Sequence, residues 1–244
     1  MIKKIFIAIL VIAAATAIIL SLATISKIED DVVCSDVKVN IDDNGFSKYI
    51  SEKEIIKVLE RKGIYPIGKK MNSISISRIE KEIENIASIK SVECYKTTSN
   101  NVVIDIVQRI PIMRIINSKG EDFYIDVNAE IIPNRDRILS HSIIATGEIS
   151  KEYAKKELYA FAKFVTNHSF WSAQIEQINV LHNKGVELIP RVGDHIIYLG
   201  EMKDYEKKLE RLKKFYHKGL NKVGWNKYQR ISVEIPNQII CTNK

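Results

Sequence analysis

From Ile5 to Ile25 the chain reads IFIAILVIAAATAIILSLATI, with no charged residue and no Pro or Gly. At about 1.5 Å per residue this run predicts a helix roughly 30 Å long, the thickness of a bilayer's hydrocarbon core. Its Ile, Leu, Val and Phe residues favour insertion by roughly 4–7 kcal/mol. Thr16, Ser21 and Thr24 oppose it weakly, because each hydroxyl can bond back to a helix carbonyl. Lys3, Lys4 and the α-amino group precede the run, whereas Lys27 is diluted by Glu29, Asp30 and Asp31. That bias predicts Met1–Lys4 in the cytoplasm and the chain beyond Ser26 outside it. Ala15-Thr16-Ala17 fits a cleaved signal peptide, the competing reading. The apolar run continues two turns past it and favours an uncleaved anchor.

The pattern then changes to short alternating and helical periods. Asp36–Ile41 alternates, with Val37, Val39 and Ile41 on one face, and predicts a strand. Asp42-Asp43-Asn44-Gly45 is a turn. Ser51-Glu52-Lys53-Glu54 has the spacing of a capping box and opens a helix with Ile55, Val58 and Leu59 inward, stopped near Gly63. Ser77-Arg78-Ile79-Glu80 reads as a second capping box, with Ile79, Ile83 and Ile86 on one side. Ser91–Thr97 and Val102–Arg109 are strands about a polar turn at Ser99–Asn101. The order β-α-α-β-β suits two helices on one face of a three-stranded sheet.

Beyond Ile110 the pattern is strand-rich. Strands are predicted at Ile112–Ile116, Phe123–Asp126 and Ile131–Pro133, with extended chain over Ile138–Gly147. Further strands fall near Gln174–Val180, Val186–Pro190 and His195–Leu199. Lys151–Thr166 is an amphipathic helix with Ala154, Leu158, Phe161 and Val165 inward. Met202–Lys218 is another, lined by Tyr205, Leu209, Leu212, Phe215 and Tyr216. Ile231, Val233 and Ile235 alternate with Ser232 and Glu234, so Tyr228–Cys241 reads as a closing strand.

Composition narrows what such a chain can do. With 244 residues, 45% hydrophobic and 27% charged, it has the make-up of a globular protein behind an anchor. The formal net charge of +7 favours anionic partners; export argues against nucleic acid. Cys34, Cys94 and Cys241 allow at most one disulfide. Cys34 and Cys94 could pair if adjacent strands carry them, but a core of this size needs no bridge. No nucleophile elbow, Ser-x-x-Lys, His-Glu-x-x-His, Cys-x-x-Cys or phosphate-binding loop is present. His141, His168, His182, His195 and His217 are scattered, and metal sites need clustered ligands. The reading is therefore a non-enzyme with no cofactor, metal or small-molecule substrate. Lys203, Lys207, Lys208, Arg211, Lys213, Lys214 and Lys218 crowd one helix. They form either a solvated face, balanced by Asp204, Glu206 and Glu210, or a basic surface for an acidic partner.

The β-α-α-β-β order directly after a single anchor resembles a POTRA domain. Gln108-Arg109-Ile110-Pro111 is similar to the exit of that domain in the FtsQ/DivIB family of bacterial cell-division proteins, with Gln where the family has an acid. Phe123–Asp126 leading through Asn128-Ala129 to Pro133 resembles the family's Tyr-x-Asp-x-Gly stretch, with Ala129 at the Gly. Glu187–His195 with Leu199-Gly200 resembles a family hairpin, and Tyr228–Cys241 its closing strand. The resemblance implies an α+β protein: stub 1–4, transmembrane helix 5–25, POTRA domain 35–110, and a β domain with two amphipathic helices over 111–244. It implies a single-pass, non-catalytic scaffold in the bacterial inner membrane that recruits and regulates septal peptidoglycan synthesis. FtsB/FtsL-like proteins are the implied partners, and the bilayer is met through Ile5–Ile25. Two other readings are an anchored POTRA module for translocation or outer-membrane assembly, and an anchored periplasmic hydrolase. The first wants repeated units and a barrel, the second a convergent polar site.

For partner binding the expected surface is an exposed edge over Tyr228–Ile240 that accepts a partner's strand. Its residues are Ile231, Ser232, Val233, Glu234, Ile235, Asn237, Gln238 and Ile239, assisted by Lys207, Arg211 and Lys214 of the basic helix. Pro236 lacks an amide donor and suits an edge or a strand end.

Overall fold

The structure, a computed structural model, describes residues 12–20, 32–42, 49–134 and 142–244. Of the expected span Ile5–Ile25, residues 12–20 are described, and they are helical. The rest of that span, the stub Met1–Lys4, most of the Asp42–Gly45 turn and His141 lie outside the described residues. Among the described residues no helix is long and apolar enough to cross a membrane.

Two compact units divide the described chain, one ending at Gln108 and the other holding Tyr49 and Arg109–Lys244. The first unit runs β1 (Asp36–Asp42), α1 (Glu52–Arg61), α2 (Ile76–Glu84), β2 (Ile89–Lys96) and β3 (Asn101–Gln108). The sheet order is β1-β3-β2, with β1 parallel to the central β3 and β2 antiparallel to it. Ile55, Leu59, Ile79 and Ile83 bury the helices, and Val37, Cys94, Val102, Ile104 and Ile106 are buried on the strands.

Helix α1 starts at the expected capping box. Ser51 Oγ accepts from Glu54 N, and the Glu54 carboxylate accepts from Ser51 N at 2.7 Å. Helix α2 corrects the sequence reading. Its N-cap is Ser75, which accepts from Arg78 N, so Ser77 already lies inside the helix. Glu80 is thereby released from capping and accepts the Cys94 amide of β2 at 2.9 Å. All three cysteines are free. Cys94 lies on β2 and Cys34 two residues before β1, so the two are not carried by adjacent strands.

The second unit is one nine-stranded sheet with helices on one face. Its strands are β4 (Pro111–Asn117), β5 (Asp122–Asp126), β6 (Ile131–Pro133), β7 (Ile143–Gly147), β8 (Ile175–Val180), β9 (Val186–Pro190), β10 (Ile196–Gly200), β11 (Tyr228–Ser232) and β12 (Ile240–Asn243). They are ordered β12-β11-β10-β9-β8-β7-β4-β5-β6. Helix α3 covers residues 151–166 and α5 residues 205–223, each with a π-wound segment, at Ala154–Leu158 and Tyr216–Leu220. A third helix, α4 (Ser169–Gln174), adds to the two expected and carries the buried Trp171. Alternate residues such as Met113, Phe123, Leu188, Ile197 and Ile231 pack against Leu158, Phe161, Leu209, Leu212 and Tyr216 in one core.

The opposite alternation gives a half-exposed, polar second face. Arg114 makes a two-point ion pair with Asp122 at 3.0 and 2.6 Å, and Arg230 pairs with Glu187 at 2.9 Å. At the entry to this unit, Arg109 reaches the fully buried Asp126 at 2.9 Å. The other oxygen of Asp126 accepts the Asn128 and Glu130 amides, which fixes the turn between β5 and β6. Ala129 takes φ 63° in that turn, the left-handed conformation that a Gly adopts without cost.

Candidate partner-binding edge

The end of the sheet is built differently from the single closing strand expected. β11 stops at Ser232, and the chain turns through Pro236 and Asn237. Pro236 has no amide to donate, Asn237 takes the left-handed φ of 60°, and the Gln238 amide closes on the Ile235 carbonyl at 3.3 Å. The chain then returns as β12, antiparallel to β11, with Ser232 opposite Ile240 and Ile231 opposite Cys241. β11 is thus flanked by β10 and β12, and the edge of the sheet is β12. The expectation that Tyr228–Ile240 is itself the edge is overturned, because Ile240 opens a second strand, β12, that lies outside β11.

The direction of each amide follows from one bond. Val233 donates to the Tyr198 carbonyl of β10 at 2.9 Å. Successive amides point to opposite sides of a strand, so Ser232 turns toward β12. Ile240 and Thr242 then turn back to β11, and Lys244 does so visibly, donating to the Lys227 carbonyl. Cys241 and Asn243 present their amides outward. Ile240 is 49% exposed beside them, while the Cys241 side chain packs toward the core.

The residues expected to bind a partner separate into groups. Ile231 and Val233 are fully buried core side chains. They shape the edge and cannot touch what docks on it. Ser232 is half-buried on the polar face. Glu234, Ile235, Asn237 and Gln238 are exposed along the turn, and Ile239 is half-buried.

Beside the turn lies a groove of about 450 Å³, bounded by Glu234, Pro236 and Asn237 on one side and by the start of α5 on the other. Arg211 is one of its walls, but its guanidinium is committed. Nη2 donates to the Val233 carbonyl at 2.6 Å and to the Ile235 carbonyl at 3.1 Å, which fixes the end of β11. Lys208 is turned inward too, donating to the Leu199 and Glu201 carbonyls at 3.0 and 2.9 Å; burial lowers its pKa. Lys207 and Lys203 remain outward, in exposed pairs with Asp204 and Glu201 at 3.1 Å. Such pairs hold their partners weakly and can exchange them. Lys214 pairs with Glu210 at 3.6 Å further along α5 and does not line the groove. Lys203, Lys207, Lys208 and Arg211 face Glu201, Asp204 and Glu234, one more cation than anion.

Sequence reasoning missed β12 as the edge, and it missed Lys203 and Lys208 as groove residues. The signal for β12 was present in Pro236-Asn237, a turn dipeptide before a fresh apolar triplet. Among the described residues no group of three or more His, Cys, Asp or Glu side chains could hold a metal ion.

A family model described as FtsQ/DivIB, C-terminal related matches residues 110–242, and a POTRA-like domain model matches residues 32–107. The chain belongs to the FtsQ/DivIB family. No curated protein matches it. Its POTRA-like match covers the β-α-α-β-β unit, and the FtsQ/DivIB match covers the nine-stranded sheet up to β12. FtsQ/DivIB proteins act at the division site as generally non-catalytic scaffolds.

Proposed function

We propose that this FtsQ/DivIB chain is a single-pass divisome scaffold that recruits and regulates septal peptidoglycan synthesis through protein contacts. Ile5–Ile25 anchors it in the cytoplasmic membrane, with Met1–Lys4 inside and both units outside. An FtsB/FtsL-like partner adds a strand to β12, and acidic residues flanking that strand enter the groove at Lys203 and Lys207. The observation that carries this reading is the edge of β12, with two outward amides beside a groove whose outer cations are loosely paired. Ser232, Glu234, Ile235, Asn237 and Gln238 act by holding the turn that presents β12. Ile231 and Val233 act from the core, and Arg211 by fixing the strand end.

The test is photocrosslinking in growing cells, with the reactive group placed in turn at Ile240, Thr242 and Lys207. A small anchored division protein captured from all three supports the reading. Capture that is equal from Ile240 and from Lys53, which is exposed on α1, overturns it.

A further inference from the structure

Several elements of the second unit converge on a buried imidazole that the partner-binding reading leaves unused. His195 ends the turn between β9 and β10 and is 1% exposed. Its Nε2 lies 2.7 Å from the hydroxyl of Tyr216, which is buried in the π-wound part of α5. The Trp225 ring, from the loop that leads into β11, packs edge-on against Tyr216 at 4.9 Å. Gly193 makes room on the other side. It takes φ +89°, and a Cβ there would stand 2.8 Å from His195 Nδ1. The neighbouring residue, Asp194, pairs with Lys244 at 2.7 Å, just past the end of β12. One turn therefore touches α5 and the Trp225 loop that leads into β11, and it reaches the far end of the edge strand through an exposed, weak ion pair.

The charged and titratable groups facing His195 are few. Asp194 lies on its own turn, the Tyr216 hydroxyl comes from α5, and the Trp225 carbonyl comes from the loop before β11; Lys244 meets Asp194 rather than the ring. Burial among these aromatics lowers the pKa of His195, opposed in part by the Trp225 carbonyl and Asp194. In the neutral ring Nε2 can accept from Tyr216, while Nδ1 lies toward the Trp225 carbonyl without closing a hydrogen bond of full geometry. A protonated ring has a hydrogen on Nε2 as well, so the Tyr216 O–H must turn away into apolar surroundings.

We propose that His195 is a proton-sensitive latch on the edge strand: proton uptake reverses the His195–Tyr216 hydrogen bond and leaves the Tyr216 O–H without an acceptor, which loosens the turn that carries Asp194 and frees β12. This regulation rests on the partner-binding reading for its consequence, but the latch itself is measurable without a partner.

The experiment is hydrogen–deuterium exchange of the full chain in detergent micelles at about pH 7.5 and about pH 5.5, corrected for the intrinsic pH dependence of exchange. If the opened edge titrates as an ordinary histidine near pH 6.5, residues 228–244 exchange up to about tenfold faster at the lower pH. Residues 101–108 of the other unit serve as the reference and do not change. His195→Gln keeps a hydrogen-bonding side chain that cannot take up the proton, and it removes the acceleration. Equal acceleration in His195→Gln and wild type overturns the latch. So does an NMR titration of wild type in which the His195 ring protonates while the exchange of 228–244 stays constant, a readout that holds even if the variant misfolds. Partner capture is measured alongside at both pH values. A latch that responds while capture from β12 is absent at both removes the partner-binding reading and leaves the latch standing.

Discussion

Arg211→Met isolates the work of a cation that looks like a surface residue. Met keeps the aliphatic stem and removes the guanidinium, so helix propensity and stem packing change little. What is lost are two charge-assisted hydrogen bonds, at 2.6 and 3.1 Å, to the carbonyls of Val233 and Ile235. A hydrogen bond to a charged group contributes about 1.5–3 kcal/mol, and water re-solvates carbonyls that are part-exposed, so the pair together stabilises by about 2 kcal/mol. For a unit of this size that corresponds to roughly 6–10 °C in the unfolding midpoint of the β domain. Thermal and urea unfolding, followed through the fluorescence of Trp171 and Trp225, measures it, and both tryptophans report on this unit alone. The comparison is Lys207→Met, which loses an exposed pair with Asp204; its midpoint stays within error of wild type. A midpoint for Arg211→Met that matches wild type refutes the assignment of Arg211 as a clamp and returns it to the partner-facing surface.

Proline placed along β12 separates binding from folding. Thr242→Pro removes an inward donor and lowers stability by about 1 kcal/mol or more, whereas Asn243→Pro removes an outward one and lowers partner capture with stability little changed; unfolding and pull-down are run on both. Arg114→Met abolishes the support that holds the Asp122 carboxyl below its usual range. Its deficit against wild type is full at neutral pH, and it disappears as pH falls through the carboxylate range and Asp122 takes up a proton, which a urea series across pH detects. Cys34 is buried, and its thiol donates to the Asp36 carbonyl. A membrane-impermeant thiol reagent therefore leaves it unlabelled in folded protein, while Lys53→Cys on the exposed start of α1 is labelled in spheroplasts if the unit lies outside the membrane. An unlabelled Lys53→Cys that reacts after lysis reverses the orientation.

Where a segment had one clear period, it folded as that period requires. The Val37, Val39, Ile41 alternation became β1, and Leu158, Phe161 and Val165 became the inner face of α3. The closing segment misled because its apolar residues continue on both sides of Pro236, so a turn of a few residues looked like one long strand. Arg211 and Lys208 misled for another reason. On a helical wheel Arg211 sits near the outer Lys207 and Lys214 and Lys208 at the border with Phe215, but long side chains can carry their charge several ångströms along the surface to a carbonyl row that only the tertiary fold creates. Ser77 lost the capping position to Ser75 because both are good caps, and register against the sheet decides between them. α4 had no period to read, being only six residues with Phe170 and Trp171 side by side.

The shortness of β12 sets a ceiling on what strand addition can achieve. Four residues present two outward amides and their carbonyls, about four hydrogen bonds at most, each contributing about 0.5–1.5 kcal/mol net. Bringing two chains together costs about 4–15 kcal/mol before any of those bonds form. The edge alone therefore cannot hold a partner at micromolar concentration, and it cannot by itself hold a second copy of the chain. Residence depends on a second foothold in the same encounter, such as the neighbouring groove, whose local concentration is raised once the first contact has formed. A complex assembled from two weak contacts comes apart when either is withdrawn, so its lifetime is set by the weaker of the two.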